Sequence, residues 1–176
     1  METELQLQLA EIERKLKLLK DHKHTGSDFN KVNYSDLEGS SSSVYAKAYL
    51  NSAQATTGQT KVLLDTEVFS SGITFASNKF TILTAGKYLI QAKIGLSALP
   101  DAKSMRVEIY KGGALISRTR YMSSINSVDM YGDNVGLFNL AVGDYIELYV
   151  GHSNDPTSHN LITGEGSTEM SLILIS

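Results

Sequence analysis

Cysteine and tryptophan are absent from this chain, and proline occurs only at Pro100 and Pro156. Without cysteine there are no disulfides and no thiolate metal ligands, so the redox compartment stays open and stability has to come from packing and assembly. Both prolines fall in expected loops and conflict with no central strand. A surplus of positive charge is also lacking. The 16 basic residues face 19 acidic ones, giving a formal net charge of -3, and they are scattered rather than gathered into a stripe. A nucleic-acid partner needs a basic field of the kind missing here, and none is expected. No run approaches the roughly 20 apolar residues that a spanning helix requires, so no membrane insertion is expected. Residues 1–20 show no apolar h-region of a signal peptide. The expectation is a soluble protein made without Sec-type export, leaving the cell, if it does, by lysis or as part of a particle.

At 176 residues the chain has room for one domain and an appendage. Three regions are legible. In the first, residues 1–20, Leu5, Leu9, Ile12, Leu16 and Leu19 recur at steps of four and three, the spacing of a coiled-coil helix with Leu9 and Leu16 at a. Glu11 with Lys15 and Glu13 with Lys17 add favourable pairs four residues apart. So short a helix is marginal alone and needs partners, either sister helices in a parallel bundle or its own body. Leucine at a, with Ile or Leu at d, leans away from a dimer without choosing between three and four strands.

The second region, residues 21–43, is poor in apolar residues and rich in Gly, Ser, Asn and Asp. It reads as an extended linker anchored by Val32, Tyr34 and Leu37. Its "DHKHTG" places His22 and His24 two apart, and in extended backbone both imidazoles point to one side. One chain offers two ligands. Three parallel chains around an axis would offer six nitrogens, a set that suits an octahedral transition metal such as Fe or Ni better than tetrahedral Zn, at one ion per trimer. Solvent-facing or hydrogen-bonded histidines are the competing reading.

The third region, residues 44–176, alternates with period two in "SVYAKAYLNS", "TKVLLDTEVF", "KFTILTAGKYLIQAKIGLSA", "SMRVEIYKGG", "ALISRTRYMSS", "SVDMYGDNVGLFNL", "DYIELYVGHS" and "EMSLILIS", with glycine-bearing turns between. This predicts an all-β sandwich or barrel. In the last strand Met170, Leu172 and Leu174 share one face while Ile173 and Ile175 share the other. One face would line the core and the other would meet a neighbouring subunit.

Catalysis finds little support. His152 and His159 lie in the polar "GHSNDPTSHN", which reads as an exposed loop, with Asp155 as a conceivable partner for a second ion. No nucleophile elbow, metalloprotease helix or phosphate-cradling glycine motif accompanies them. Asp65, Glu67, Asp129, Asp133 and Asp144 are too dispersed to form a carboxylate pair or calcium loop. The chain is read as a non-enzyme, a soluble hydrolase being the remote alternative.

Phe80, five residues, then Gly86-Lys87-Tyr88-Leu89-Ile90 resembles the signature of the C1q/TNF-like trimeric jelly rolls, in the compact version found in phage and bacterial fibre proteins. Ile90 stands where that signature has an aromatic. The segment around Tyr49, Leu50 and Asn51 is similar to the family's first strand. "LFNLAVGDYIELYV", with Gly143 and Asp144 in its turn, is similar to its penultimate strand. The resemblance implies a jelly-roll homotrimer with its first and last strands adjacent. The linker, through His22, His24, Gly26, Asp28, Lys31, Val32, Asp36 and Gly39, resembles H-x-H linkers of phage structural proteins, whose elements are associated with metal held on the axis. Together these imply a trimeric virion protein of head, collar or tail. It would attach to other virion proteins through its N-terminal region and contact host surface glycan through loops at Pro100 to Lys103, Ser123 to Asp133 and Gly151 to Gly166. A bacterial surface or spore-coat adhesion trimer is the alternative.

Overall fold

A computed structural model describes residues 44–100, 103–122, 128–153 and 157–175, all within the unit Ser42–Ser176. The expected coiled-coil helix over 1–20 and linker over 21–43 lie outside the described residues. So do His22 and His24.

The expected all-β jelly-roll sandwich is what forms. One sheet has strand order β10-β7-β13-β1-β4, built from β1 (Tyr45–Tyr49), β4 (Thr66–Ser71), β7 (Gly86–Leu99), β10 (Val128–Leu140) and β13 (Glu169–Leu174). The second has order β5-β6-β11-β8-β9, from β5 (Ile73–Ala76), β6 (Lys79–Ile82), β8 (Ser104–Lys111), β9 (Ala114–Met122) and β11 (Tyr145–Ser153), with β3 (Thr60–Lys61) also paired to β11. A small ribbon joins β2 (Ala55–Thr56) to β12 (His159–Asn160). First and last strands pair directly, Tyr45 opposite Ile173 and Tyr49 opposite Glu169.

Alternation builds the core from both inner faces. From the first sheet come Ala46, Ala48, Tyr88, Ile90, Ala92, Ile94, Met170 and Leu172, and from the second Phe80, Ile82, Met105, Val107, Ile109, Ile146, Leu148 and Val150. Small and large residues sit side by side, so that Met170 lies between Ala48 and Ala92, and each bulky side chain finds room between the sheets. Tyr88 is wholly buried, and its hydroxyl donates to the Thr84 carbonyl at 2.6 Å, as a buried phenol requires. Asn134 reaches from β10 across to the other sheet, donating to the Val107 carbonyl at 2.9 Å and accepting from the Ser117 hydroxyl at 2.8 Å.

Two hairpins turn on paired left-handed residues, Ser77-Asn78 (φ 52° and 58°) and Gly112-Gly113 (φ 59° and 80°), the geometry that matches strand twist. Gly143 also turns at positive φ (88°). Gly86, by contrast, is simply the first residue of β7, laddered opposite Leu140.

Some strand expectations change in detail. "TKVLLDTEVF" divides into β3 and β4, because Asp65 accepts the backbone N–H groups of Asn51 and Ser52 at 2.7 and 2.9 Å and bends the chain there. The expected loops at 123–133 and 151–166 are shorter than foreseen, since Val128–Leu140 is strand and β11 continues to Ser153.

Candidate assembly face

The outer surface of the first sheet is the unusual one. Cross-strand register places Leu137 opposite Leu89, Leu89 opposite Ile173, and Ile173 opposite Tyr45, which meets Phe69 edge-on at 5.2 Å. An apolar row therefore crosses every strand of the sheet, with Val135 adjoining it. Leu137 is 58% exposed, Ile173 48% and Phe69 45%. Further along the strands the row gives way to ions, with Asp133 opposite Lys93 and Lys93 opposite Glu169, while Lys47 holds Glu165 at 3.0 Å and Glu169 at 3.1 Å. Burial lowers the Lys47 pKa, but the two glutamates outweigh it and hold it above the ordinary lysine value.

The exposure of Ile173 and Ile175 opposite buried Met170 and Leu172 agrees with the alternation read for the last strand. A contiguous apolar face of this kind is a candidate contact surface.

The two histidines read as loop residues are elsewhere than expected. His152 and His159 are both buried, their rings edge-to-face at 5.1 Å. The reason is that β11 extends through His152 and turns its side chain inward, where the ring Nε2 accepts the Gly58 N–H at 3.0 Å, while β12 pairs His159 with Thr56. They fasten the 54–60 segment to the sandwich. Burial of a histidine pair beside a two-residue ribbon has no period that sequence displays.

The dispersed carboxylates stay apart, and no group of three metal-ligating side chains assembles among the described residues. Asp65 is pushed up by burial, but hydrogen bonds from Ser52, Asn51 and Thr66 prevail and hold it below the ordinary carboxylate value. Asp144 is lowered first by the Ala141 N–H it accepts at 2.9 Å, with Lys111 adding to this. Both are turn-fixing groups.

No family model and no curated protein matches the chain. Solved structures do. Eiger TNF from S. frugiperda superposes with a TM-score of 0.61 at 11% identity, over 76% of this chain and 93% of its own. Murine APRIL at pH 5.0 gives 0.56 at 15% identity, over 74% and 99%, and the pH 8.0 crystal gives 0.55 at 16%. The chain has a C1q/TNF-like jelly-roll fold.

These matches correct the functional reading. The phage virion function, its spore-coat and bacterial-surface alternative, and the virion localisation are overturned by the matches to Eiger TNF of S. frugiperda and to murine APRIL. Phe80, Gly86, Tyr88 and Gly143 report the sandwich, in which Phe80 and Tyr88 are core and Gly143 is a turn. Core and turn residues carry no mark of the particle or cell on which a TNF-type fold sits.

Proposed function

We propose that the chain is a non-enzymatic recognition protein that works as a homotrimer, assembled through the outer face of the β10-β7-β13-β1-β4 sheet. The apolar row from Leu137 to Phe69 carries this reading. Covered by sister protomers, its side chains leave water at about 25 cal/mol per Å2 of apolar area. The row of Asp133, Lys93 and Glu169 beside it then fixes the register of approach, since a shift would bring like charges together. The TNF-type fold supports a second copy as the occupant.

Light scattering of the full chain tests the proposal. The expected mass is three times that of the protomer, and a monomer at micromolar concentration would defeat it. In the same trimer, parallel linkers would bring six imidazoles from His22 and His24 to the axis, so metal binding there is proposed as a property of the assembly, resting on the H-x-H spacing.

A further inference from the structure

The outer edge of β10 is treated unevenly along its length. Among the described residues β10 ends its sheet, with β7 as its one neighbour. In an antiparallel strand the N–H and C=O of one residue point to the same side, and successive residues alternate. On β7, Lys87 and Gly95 stand opposite Asn139 and Tyr131, and their carbonyls accept the Ile175 and Ile162 N–H groups on the side of β7 away from β10. Those two register pairs therefore exchange no ladder bonds. By alternation the backbone groups of Tyr131, Asp133, Val135, Leu137 and Asn139 all point to the outer edge.

At Asp133 a side chain takes the place of a neighbouring strand. The Tyr121 hydroxyl, reaching over from β9 of the other sheet, donates to the Asp133 carbonyl at 2.6 Å and accepts the Asp133 N–H at 2.8 Å. A hydroxyl has one proton to give and lone pairs to accept with, so it satisfies both groups at once. Gly132 makes the approach possible. A Cβ there would lie 2.5 Å from Cδ2 and Cε2 of the Tyr121 ring and 2.7 Å from the Met105 Cε. The ring lies across the β10 backbone, packed against the core and tied by both hydrogen bonds. Further along, the same edge carries Val135 and Leu137, 56% and 58% exposed.

A long edge with exposed apolar residues is a template for a strand of another molecule. The strand that fits this one is β10 of a second copy. Turned end for end about a two-fold axis at Gly136, the two strands pair antiparallel, with Val135 of each facing Leu137 of the other and Asp133 facing Asn139. All of these residues offer their backbone groups to the edge, so the pairing would exchange full ladder bonds, and each Asp133 would first have to give up Tyr121. We infer that Tyr121 is an edge guard, which denies a second copy the β10-to-β10 pairing and leaves self-association to the face of the sheet. The guard acts whatever the mass of the parent protein, so it does not rest on the proposed trimer.

The test uses the full-length chain, with sedimentation and hydrogen exchange read together and far-ultraviolet circular dichroism as the check on folding. In the parent, the Asp133 amide should exchange at least about tenfold more slowly than the Asn139 amide. Equal rates would overturn the guard. Tyr121→Phe keeps the ring over Gly132 and removes the hydroxyl. At about 100 μM it should sediment as multiples of the parent's mass, with the Asn139 amide now slowed about tenfold. A variant that holds the parent's mass at that concentration overturns the inference. So does association accompanied by loss of the β-sheet spectrum, which traces it to unfolding. The register has its own test at Asn139, which is exposed. Adding Asn139→Asp to Tyr121→Phe sets like charges opposite each other at both ends of the pairing and should restore the parent's mass. Adding Asn139→Lys instead sets a cation opposite Asp133 and should tighten association at least about threefold. Association indifferent to the charge at residue 139 would overturn the β10-to-β10 assignment.

Discussion

Asn134 is the buried amide that joins the two sheets near β8 and β9, and both of its polar atoms are used. Asn134→Ala should cost about 1–3 kcal/mol, because the Val107 carbonyl and Ser117 hydroxyl lose a partner in a dry place. The measurement is the urea midpoint, which should fall while the m-value holds; an unchanged midpoint would mean that water replaces the amide at no cost. Acid acts on other residues. Asp65 and Asp144 both have folded pKa values below the ordinary carboxylate value, so their contribution is complete above that value and is lost as pH falls through the folded pKa. The midpoint should therefore drop as pH goes from about 5 toward 2, and Asp144→Asn should flatten that limb. A limb as steep in the variant as in the parent would acquit Asp144.

β13 was legible in advance because its alternation is strict, with Met170 and Leu172 inward and Ile173 outward. The long strands β7, β8 and β11 were legible for the same reason, since one face of each meets a continuous core, whereas β10 turns Gly132, Asn134 and Gly136 inward and Val135 and Leu137 outward. β2 and β12 were not, being two residues each and formed by pairing with one another rather than by any pattern of their own. The same shortness hid His152 and His159, which owe their burial to that ribbon and to the last turn of the β11 ladder. The candidate assembly face was half visible. Sequence exposed the second apolar side of β13, but only register shows that Leu137, Leu89 and Tyr45 continue it. Ile173→Lys puts a charge in the middle of that row without touching the core, so the far-ultraviolet spectrum should be kept and the mass should fall to that of a protomer. A trimer that survives Ile173→Lys would place the interface elsewhere. At the other element with an open question, elemental analysis of untagged protein should find about one metal per trimer, lost in the His22→Ala, His24→Ala double variant. Metal-free parent protein would refute the axial reading.

For the molecule as a whole, absence of cysteine leaves no disulfide within or between chains, so in the proposed trimer assembly and folding would share one set of non-covalent contacts. If the apolar row is covered only in the trimer, unfolding and dissociation are one process, and stability depends on concentration through two powers of it per trimer. A hundredfold dilution then removes about 5 kcal/mol per trimer from the folded side. Spread over the unfolding entropy of three chains of this length, at about 2 cal/mol/K per residue, that is a fall in Tm of about 5 °C. Circular dichroism melts at two concentrations a hundredfold apart read this directly. A Tm that does not move while the mass remains threefold would mean that the sandwich holds itself and the sister protomers merely adhere. A Tm that falls in the parent but not in Ile173→Lys ties the concentration dependence to the row itself, because the variant would already melt as a single chain.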